Sequence, residues 1–514
     1  MEPITGAGNA AGAPHQGENR VQLSKTLKPS WVWAIALGSA VGWGAFVLPT
    51  DWIGTAGPLG AIIGFLIGGL LMIVIAVSYG FLIRSFPVSG GEFAYAHVGF
   101  GRRHAFLCGW FLTLGYTCIV ALNASALALL SRYVIPQVAE RGLLYEVAGW
   151  QVYLGEVLIA SAALVIFAAL NIRGANVSGR LQYIFCLIML AGVALILIGV
   201  LLHPDGQLSN AAPAFPLDVP PWTAVLAIVA IAPWAYVGFD NVPQAAEEFD
   251  FAPSKAFRLI VLAIIAAALL YAAMILATAS ATPWTQLVAG EPIWGTGDAI
   301  SGLFGGVGIM LLALSVSMGI CTGLNGFYVA SSRLLFAMGR ARMLPNAFAR
   351  LHPRYGTPHL GIAFAAALCL VAPWFGRQAL LWVVDMSAVG VTIAYTYTCL
   401  VAFKQFRWSA QAARVGDSEG AGSTVKKLFS LLGAVIGATF LGLLLVPLSP
   451  ASLGSESMTA LLVWSVVGLV FYGFRRRECN KLSDAEMDYL VLGTKADPVT
   501  ADAEDPAPQR TTVN

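Results

Sequence analysis

The chain is short of charge. Asp, Glu, Lys and Arg make up 11% of its 514 residues, about half the share that a soluble globular protein carries. Hydrophobic residues stand at 58% and the mean hydropathy at +0.76. That balance excludes an ordinary soluble fold and indicates an all-α polytopic membrane protein. Cysteine is scarce too. Cys108, Cys118, Cys186, Cys321, Cys369 and Cys399 fall inside apolar runs and Cys479 lies near the end, with neither a disulfide framework nor a C-x-x-C pair. The histidines (His15, His97, His104, His203, His352, His359) all read as loop or tail residues. No His/Asp/Glu set at metal spacing falls in a span, so no metal, cofactor or membrane-embedded enzyme is expected. Residues 1–30 lack the apolar core of a cleavable signal. No strand leads into Gly6-x-Gly8 and no helix leaves it, which removes the nucleotide loop that an ATP-driven pump needs. No nucleic-acid partner is expected.

Long apolar runs are abundant. They cover about 31–53, 58–83, 105–131, 152–170, 181–202, 222–248, 259–281, 303–332, 360–375, 378–402, 428–446 and 458–474, each read as a transmembrane helix. With the N-terminus inside, all of the 29 basic residues except Arg132, Arg141 and Arg377 fall in inner loops or tails. This asymmetry predicts two cytoplasmic termini in a plasma (inner) membrane. Residues 1–30 and 478–514 are polar and read as disordered cytoplasmic tails.

Two of the spans ought to break. Gly38-Ser-Ala-Val-Gly-Trp-Gly-Ala-Phe-Val-Leu-Pro49 crowds Gly42, Gly44 and Pro49 into the first span. Gly42 lies roughly 17 Å from Trp31 at 1.5 Å per residue, near the middle of a hydrocarbon core of about 30 Å. The sixth span holds Pro233-Trp-Ala-Tyr-Val-Gly-Phe-Asp-Asn-Val-Pro243, with two prolines, Gly238 and the ionisable Asp240 at a similar depth. Unpaired backbone at that depth needs protein or a cavity beside it. Paired interruptions five spans apart point to a secondary transporter built from inverted repeats, here 31–202 (spans one to five) and 222–402 (spans six to ten), with 428–474 supplying two extra helices. The broken first span presents free N–H groups to an anion, and the broken sixth presents carbonyls to an ammonium. An amino acid satisfies both ends; an amine or polyamine held by carbonyls and Asp240 is the alternative.

The motifs resemble the amino acid–polyamine–organocation (APC) transporter superfamily, whose fold is the five-plus-five inverted repeat first seen in bacterial leucine transporters. The resemblance rests on Gly42, Gly44, Phe46 and Pro49; on Thr55-Ala-Gly-Pro-Leu-Gly60; and on Phe86-Pro-Val-Ser-Gly-Gly-Glu-Phe-Ala-Tyr95. It extends through Asn171-Ile-Arg-Gly174, Gly238-Phe-Asp-x-Val-x-x-Ala-Ala-Glu-Glu248, and Ser332-Arg333 with Arg340, Pro345 and Pro358, covering about 28–410. It implies a permease or exchanger of amino acids working by alternating access. By the same resemblance a carboxylate binds the N–H groups of Trp43 and Gly44, and an ammonium binds carbonyls of Ala40, Trp234 and Val237. Trp234 and Phe327 match positions that gate or line the pocket in relatives. Trp43 is a departure, because small residues usually occupy its place; its indole either narrows the pocket or offers an aromatic face to a cation.

Tyr236 and Phe239 are read as further pocket lining, and Asn123 and Asn325 as interhelical hydrogen-bonders. Asp240 either caps the inner half of span six or contacts substrate or ion. Glu247 and Glu248 are either salt-bridged loop residues or gating groups. Span five lacks the lysine that substitutes for sodium in some relatives, with Met189 at the corresponding place. Ion-free exchange, H⁺ coupling and Na⁺ coupling all stand open, as does the oligomeric state. A sensor that keeps the fold without transporting is a further alternative. Lipid is the one other partner expected.

Overall fold

A computed structural model of the chain describes residues 20–493 apart from 148, 291, 293, 414–419, 448, 450 and 451. The helices are α1 (Pro29–Val41), α2 (Gly44–Val47), α3 (Pro49–Ser85), α4 (Gly91–Phe100), α5 (Arg102–Val134), α6 (Pro136–Ala139), α7 (Leu154–Ile172), α8 (Ala175–Leu202) and α9 (Pro221–Ala235). There follow α10 (Asn241–Gln244), α11 (Ala256–Ala281), α12 (Trp284–Ala289), α13 (Gly295–Arg340), α14 (His359–Cys369), α15 (Gly376–Ala413), α16 (Gly420–Leu445), α17 (Ser455–Asn480) and α18 (Asp484–Leu492). Proline stands in the first turn of α1, α3, α6 and α9, where its missing N–H has no intrahelical partner to lose. Among the described residues nine helices are long and apolar enough to cross a membrane. Three shorter apolar helices, Pro29–Val41, Pro221–Ala235 and His359–Phe375, accompany them. The first two are short because each stops at an expected break. Gly57 and Gly305 kink α3 and α13.

The polarity of the packing is inverted relative to a soluble protein. Leu70, Leu202, Val307, Leu469 and Phe474 are exposed, while Gln182, Asp240, Asn241, Gln244, Asn325 and Arg333 are buried. An apolar outer surface of this extent suits hydrocarbon. One buried polar network ties α1, α7, α8 and α13 together. Asn325 donates to Gln182 Oε1 at 2.8 Å and accepts from Asn171 and Ser178. Gln182 in turn donates to the carbonyls of Ala34 and Thr322. Asn325 is thus an interhelical hydrogen-bonder, whereas Asn123 donates to the Ile119 carbonyl of its own helix.

The all-α polytopic class stands, with a short antiparallel hairpin of Leu143–Val147 and Trp150–Tyr153 in one loop, where Tyr and Val favour strand. Two expectations need correction. The stretch 20–28 of the N-terminal tail is ordered: the Thr26 and Leu27 N–H groups donate to the Glu248 carbonyl, and Leu23 and Leu27 are buried. The C-terminal tail contains α18, started by a Ser483/Glu486 capping box and ended by Gly493. Met487 and Val491 bury its apolar side, Asp484 pairs with Arg102 and Asp488 with His97, and Arg20 donates to the Leu490 and Val491 carbonyls. Average polarity hid four apolar anchors (Leu23, Leu27, Met487, Val491) spaced to face the helical body. Residues 1–19 and 494–514 of the two expected tails lie outside the described residues.

Glu247 and Glu248 join the segment after α10 to its surroundings. Glu248 makes a two-point pair with Arg333, at 2.7 and 3.1 Å. Glu247 binds Arg340 at 3.0 Å and Arg20 at 3.3 Å, and accepts from the Leu23 and Ser89 N–H groups. All five side chains are nine-tenths or more buried. Removing one partner strands a buried charge, whereas removing both does not. Glu248→Gln is therefore expected to destabilise the protein by about 3–5 kcal/mol, read as a lower unfolding midpoint in detergent. The double replacement Glu248→Gln/Arg333→Met should recover most of that loss.

Candidate functional site

The first break follows from one residue. Gly42 has φ 50° and ψ −144°, a conformation that side chains with a Cβ resist. Its carbonyl packs so closely on Gly319 of α13 that a Cβ there would lie 2.2 Å away. Helix α1 therefore ends at Val41, and the chain resumes as helix at Gly44. No backbone carbonyl among the described residues closes on the N–H of Trp43 or Gly44. The Phe46 carbonyl, just beyond, accepts from the Trp294 indole at 3.0 Å.

The second break mirrors it. Helix α9 carries Pro233 and ends at Ala235, and Gly238 follows at φ 137°. A Cβ on Gly238 would come within 2.4 Å of the Ala40 nitrogen, so glycine is what lets the two broken chains touch. Asp240 holds this turn, accepting from the Gly238 N–H at 2.7 Å and from the Tyr116 hydroxyl at 2.9 Å. Tyr271 of α11 stands between the breaks. Its hydroxyl lies 2.9 Å from the Ala40 carbonyl and 2.6 Å from the Ala235 carbonyl, and its single proton serves one at a time.

Between the breaks lies a cavity of about 30 Å³, room for a water or two. It is lined by both breaks together with Ile119, Leu122, Asn123 and Tyr271. Ala40, Gly42, Trp43, Gly44, Trp234 and Val237 are all in the lining. The Trp43 and Trp234 rings meet edge to face at 6.4 Å. Among the described residues, no charged side chain lines the cavity.

The other sequence candidates stand outside that lining. Tyr236 turns its hydroxyl to the Phe65 carbonyl at 2.8 Å. Gly238 packs on Ser39 and Ala40, and Phe239 stacks on Tyr395 at 5.4 Å. Phe327 packs by the Tyr116 ring at 5.7 Å. A helix periodicity places these aromatics near the break, but unwinding changes the direction of each side chain, and three of them turn into the protein. Asp240 faces Tyr116, not the cavity. Glu247 and Glu248 are occupied by arginines.

Two residues gained importance only in three dimensions. Tyr271 reads in sequence as one aromatic in an apolar run. Glu92, within the Ser-Gly-Gly-Glu stretch, is fully buried on α4; the one sequence signal is an acid directly before an apolar run. It accepts from Tyr79 at 2.9 Å and contacts Gln244 at 2.5 Å. Burial pushes its carboxyl well above the usual carboxylate range, and the nearby Asp240 adds to the shift.

A helical bundle with an exposed apolar surface, enclosing a small cavity between two broken helices, defines a polytopic membrane protein of the transporter class. Residues 28–471 match the amino acid permease family, and the chain belongs to that family. Its members are transporters and not enzymes. The chain is 29% identical to the methylthioribose transporter of Bacillus subtilis over 65% of its length and 72% of the relative's. It is 24% identical to the branched-chain amino acid permease BcaP of the same organism, over 87% of its length and 92% of the relative's. It is likewise 24% identical to the aromatic amino acid transport protein AroP of Salmonella typhimurium, over 83% and 90%.

The Trp43 indole fills part of the space between the two breaks, against Trp234. Trp43→Gly is expected to shift selectivity toward larger amino acids, measured by competition of an amino-acid panel against uptake in proteoliposomes. An unchanged order of competitors would remove Trp43 from the binding cavity.

Proposed function

We propose that the chain carries zwitterionic amino acids with uncharged side chains across the plasma membrane by alternating access. It does so as twelve spans, two inverted five-span repeats followed by two helices, with both termini cytoplasmic. The observation that carries the substrate reading is the two-ended cavity. Unpartnered N–H groups at Trp43 and Gly44 suit a carboxylate, and the Ala40 and Val237 carbonyls across the cavity suit an ammonium. Among the described residues the lining offers no acid for a second ammonium and no base for an acidic side chain, which favours amino acids over polyamines. The clustering of Lys and Arg supports the orientation.

In this reading the conformation has its cytoplasmic side shut. The Glu248–Arg333 and Glu247–Arg340 pairs lock the segment after α10 to α13. Ser89 and Leu23 add N–H donors to Glu247. Opening toward the cytoplasm separates these groups, and the small cavity widens as Trp43 and Trp234 part. Named relatives carry branched-chain and aromatic amino acids and methylthioribose, so the panel that tests this protein includes each class.

The test is counterflow in proteoliposomes preloaded with single amino acids, decarboxylated amines, polyamines or methylthioribose, with no ion gradient. Neutral amino acids are expected to exchange, and their decarboxylated amines to exchange at least tenfold more slowly, since loss of the carboxylate forfeits charge-assisted hydrogen bonds of about 1.5–3 kcal/mol. Preference for amines or methylthioribose over every amino acid would overturn the two-ended reading. Absence of all exchange would leave the sensor alternative.

A further inference from the structure

A second recess, of about 700 Å³, opens at the end of the bundle that carries α18. Its volume falls in the range that holds a molecule of drug size. Three walls enclose it: the α4–α5 corner from His97 to His104, Tyr472 and Asn480 of α17, and Asp484, Asp488 and Leu492 of α18. The three α18 residues stand four apart and so share one helix face. Two acid–base pairs hold that face against the corner. Arg102 donates to Asp484 Oδ1 at 2.7 Å and to the Cys479 carbonyl at 2.6 Å, and His97 meets Asp488 at 2.8 Å. Both acids of the lining are thus engaged.

Three cations around the recess meet no acid among the described residues. Arg103 lines it and is exposed. Arg476, also exposed, stands between Tyr472 and Asn480 on α17 at the same four-residue spacing. Neither arginine side chain has an ion pair or hydrogen bond among the described residues. Lys404 of α15 donates to the Gly99 carbonyl at 2.6 Å and covers the Phe100 ring at 4.3 Å, both of them recess residues. Helix α5 adds its own polarity. It starts at Arg102, after Gly101 at φ 81°, without a side-chain cap. A Cβ on Gly101 would meet nothing within 4 Å, so the first-turn N–H groups face open space and favour an anion. Beyond the cations the surface turns apolar: Leu107, one turn past Arg103, and Val470 and Phe474 of α17 are exposed.

We propose that this recess binds the headgroup of an anionic phospholipid, its phosphate on Arg103, Arg476 and the start of α5, its acyl chains along α5 and α17. Arginine suits the phosphate because its planar fork reaches two oxygens at once. A soluble phosphate engages only the cations, whereas a lipid also covers the apolar wall that continues from them. A zwitterionic headgroup brings a cation of its own against Arg103, Arg476 and Lys404, which disfavours it. Bound lipid braces α18, whose Leu490 and Val491 carbonyls hold Arg20 beside Glu247. The site lies apart from both breaks and is the same whatever solute the chain carries.

The experiment uses full-length protein in an uncharged detergent, titrated with phosphatidylglycerol or with phosphatidylcholine of the same acyl chains, and native mass spectrometry reads the affinity for the first bound lipid. Phosphatidylglycerol is expected to bind about tenfold more tightly than phosphatidylcholine. Arg103→Gln and Arg476→Gln should each weaken it about fivefold, the share of one basic side chain near an anionic headgroup. Lys255→Gln/Arg258→Gln removes two exposed cations at the start of α11 and should leave the affinity unchanged. Both arginines are exposed, so the variants should keep the wild-type unfolding midpoint in lipid-free detergent. Equal affinity for the two lipids overturns the proposal. So does a loss in the Lys255/Arg258 variant as large as in the arginine variants, which would mean attraction to the whole basic surface. Displacement of the lipid by millimolar inorganic phosphate assigns the recess to a soluble phosphate and overturns the lipid.

Discussion

A backbone amide cannot be left unpaired in hydrocarbon, and the architecture around the cavity answers that constraint. Two helices stop at mid-length, and each exposes polar backbone that only the other, or a side chain placed for the purpose, can shelter. Gly238 lies against Ser39 and Ala40, Tyr271 reaches carbonyls of both breaks, Trp294 takes the Phe46 carbonyl, and Asp240 takes the Gly238 N–H. The donors and acceptors left over, at Trp43, Gly44 and Val237, border the cavity.

The charged groups divide by the same logic. Where carboxylates meet arginines, at Glu247 and Glu248, they tie the segment after α10 to α13 and to Arg20. Where carboxyls meet hydroxyls, a backbone N–H and an amide, at Glu92 and Asp240, no arginine or lysine pairs with them among the described residues. A buried acid with a cation is held ionised, and a buried acid without one is pushed toward its neutral form. The two kinds flank α10, on which both the turn at Gly238 and the ion pairs depend.

Much of this was legible in the chain before any coordinates. Gly42, Gly44 and Pro49 announced the first break, and Pro233, Gly238 and Pro243 the second, because glycine and proline act through local backbone geometry that neighbours seldom override. The facing of side chains was not legible. Phe239 and Phe327 read as pocket residues and turned inward, Asn123 bonded its own helix, and the tails' average polarity concealed α18 and the 20–28 segment.

What the sequence alone determined is the membrane class, the places where helices stop, and the polarity expected at each stop, since these depend on hydropathy and on φ. Tertiary structure alone decided which stops touch, that Tyr271 bridges them, that Trp43 meets Trp234, and that Glu92 lies with Asp240 while Glu247 lies with Arg340. Those pairings join residues up to hundreds of positions apart, and their energies depend on distance and enclosure, which no local stretch of sequence encodes.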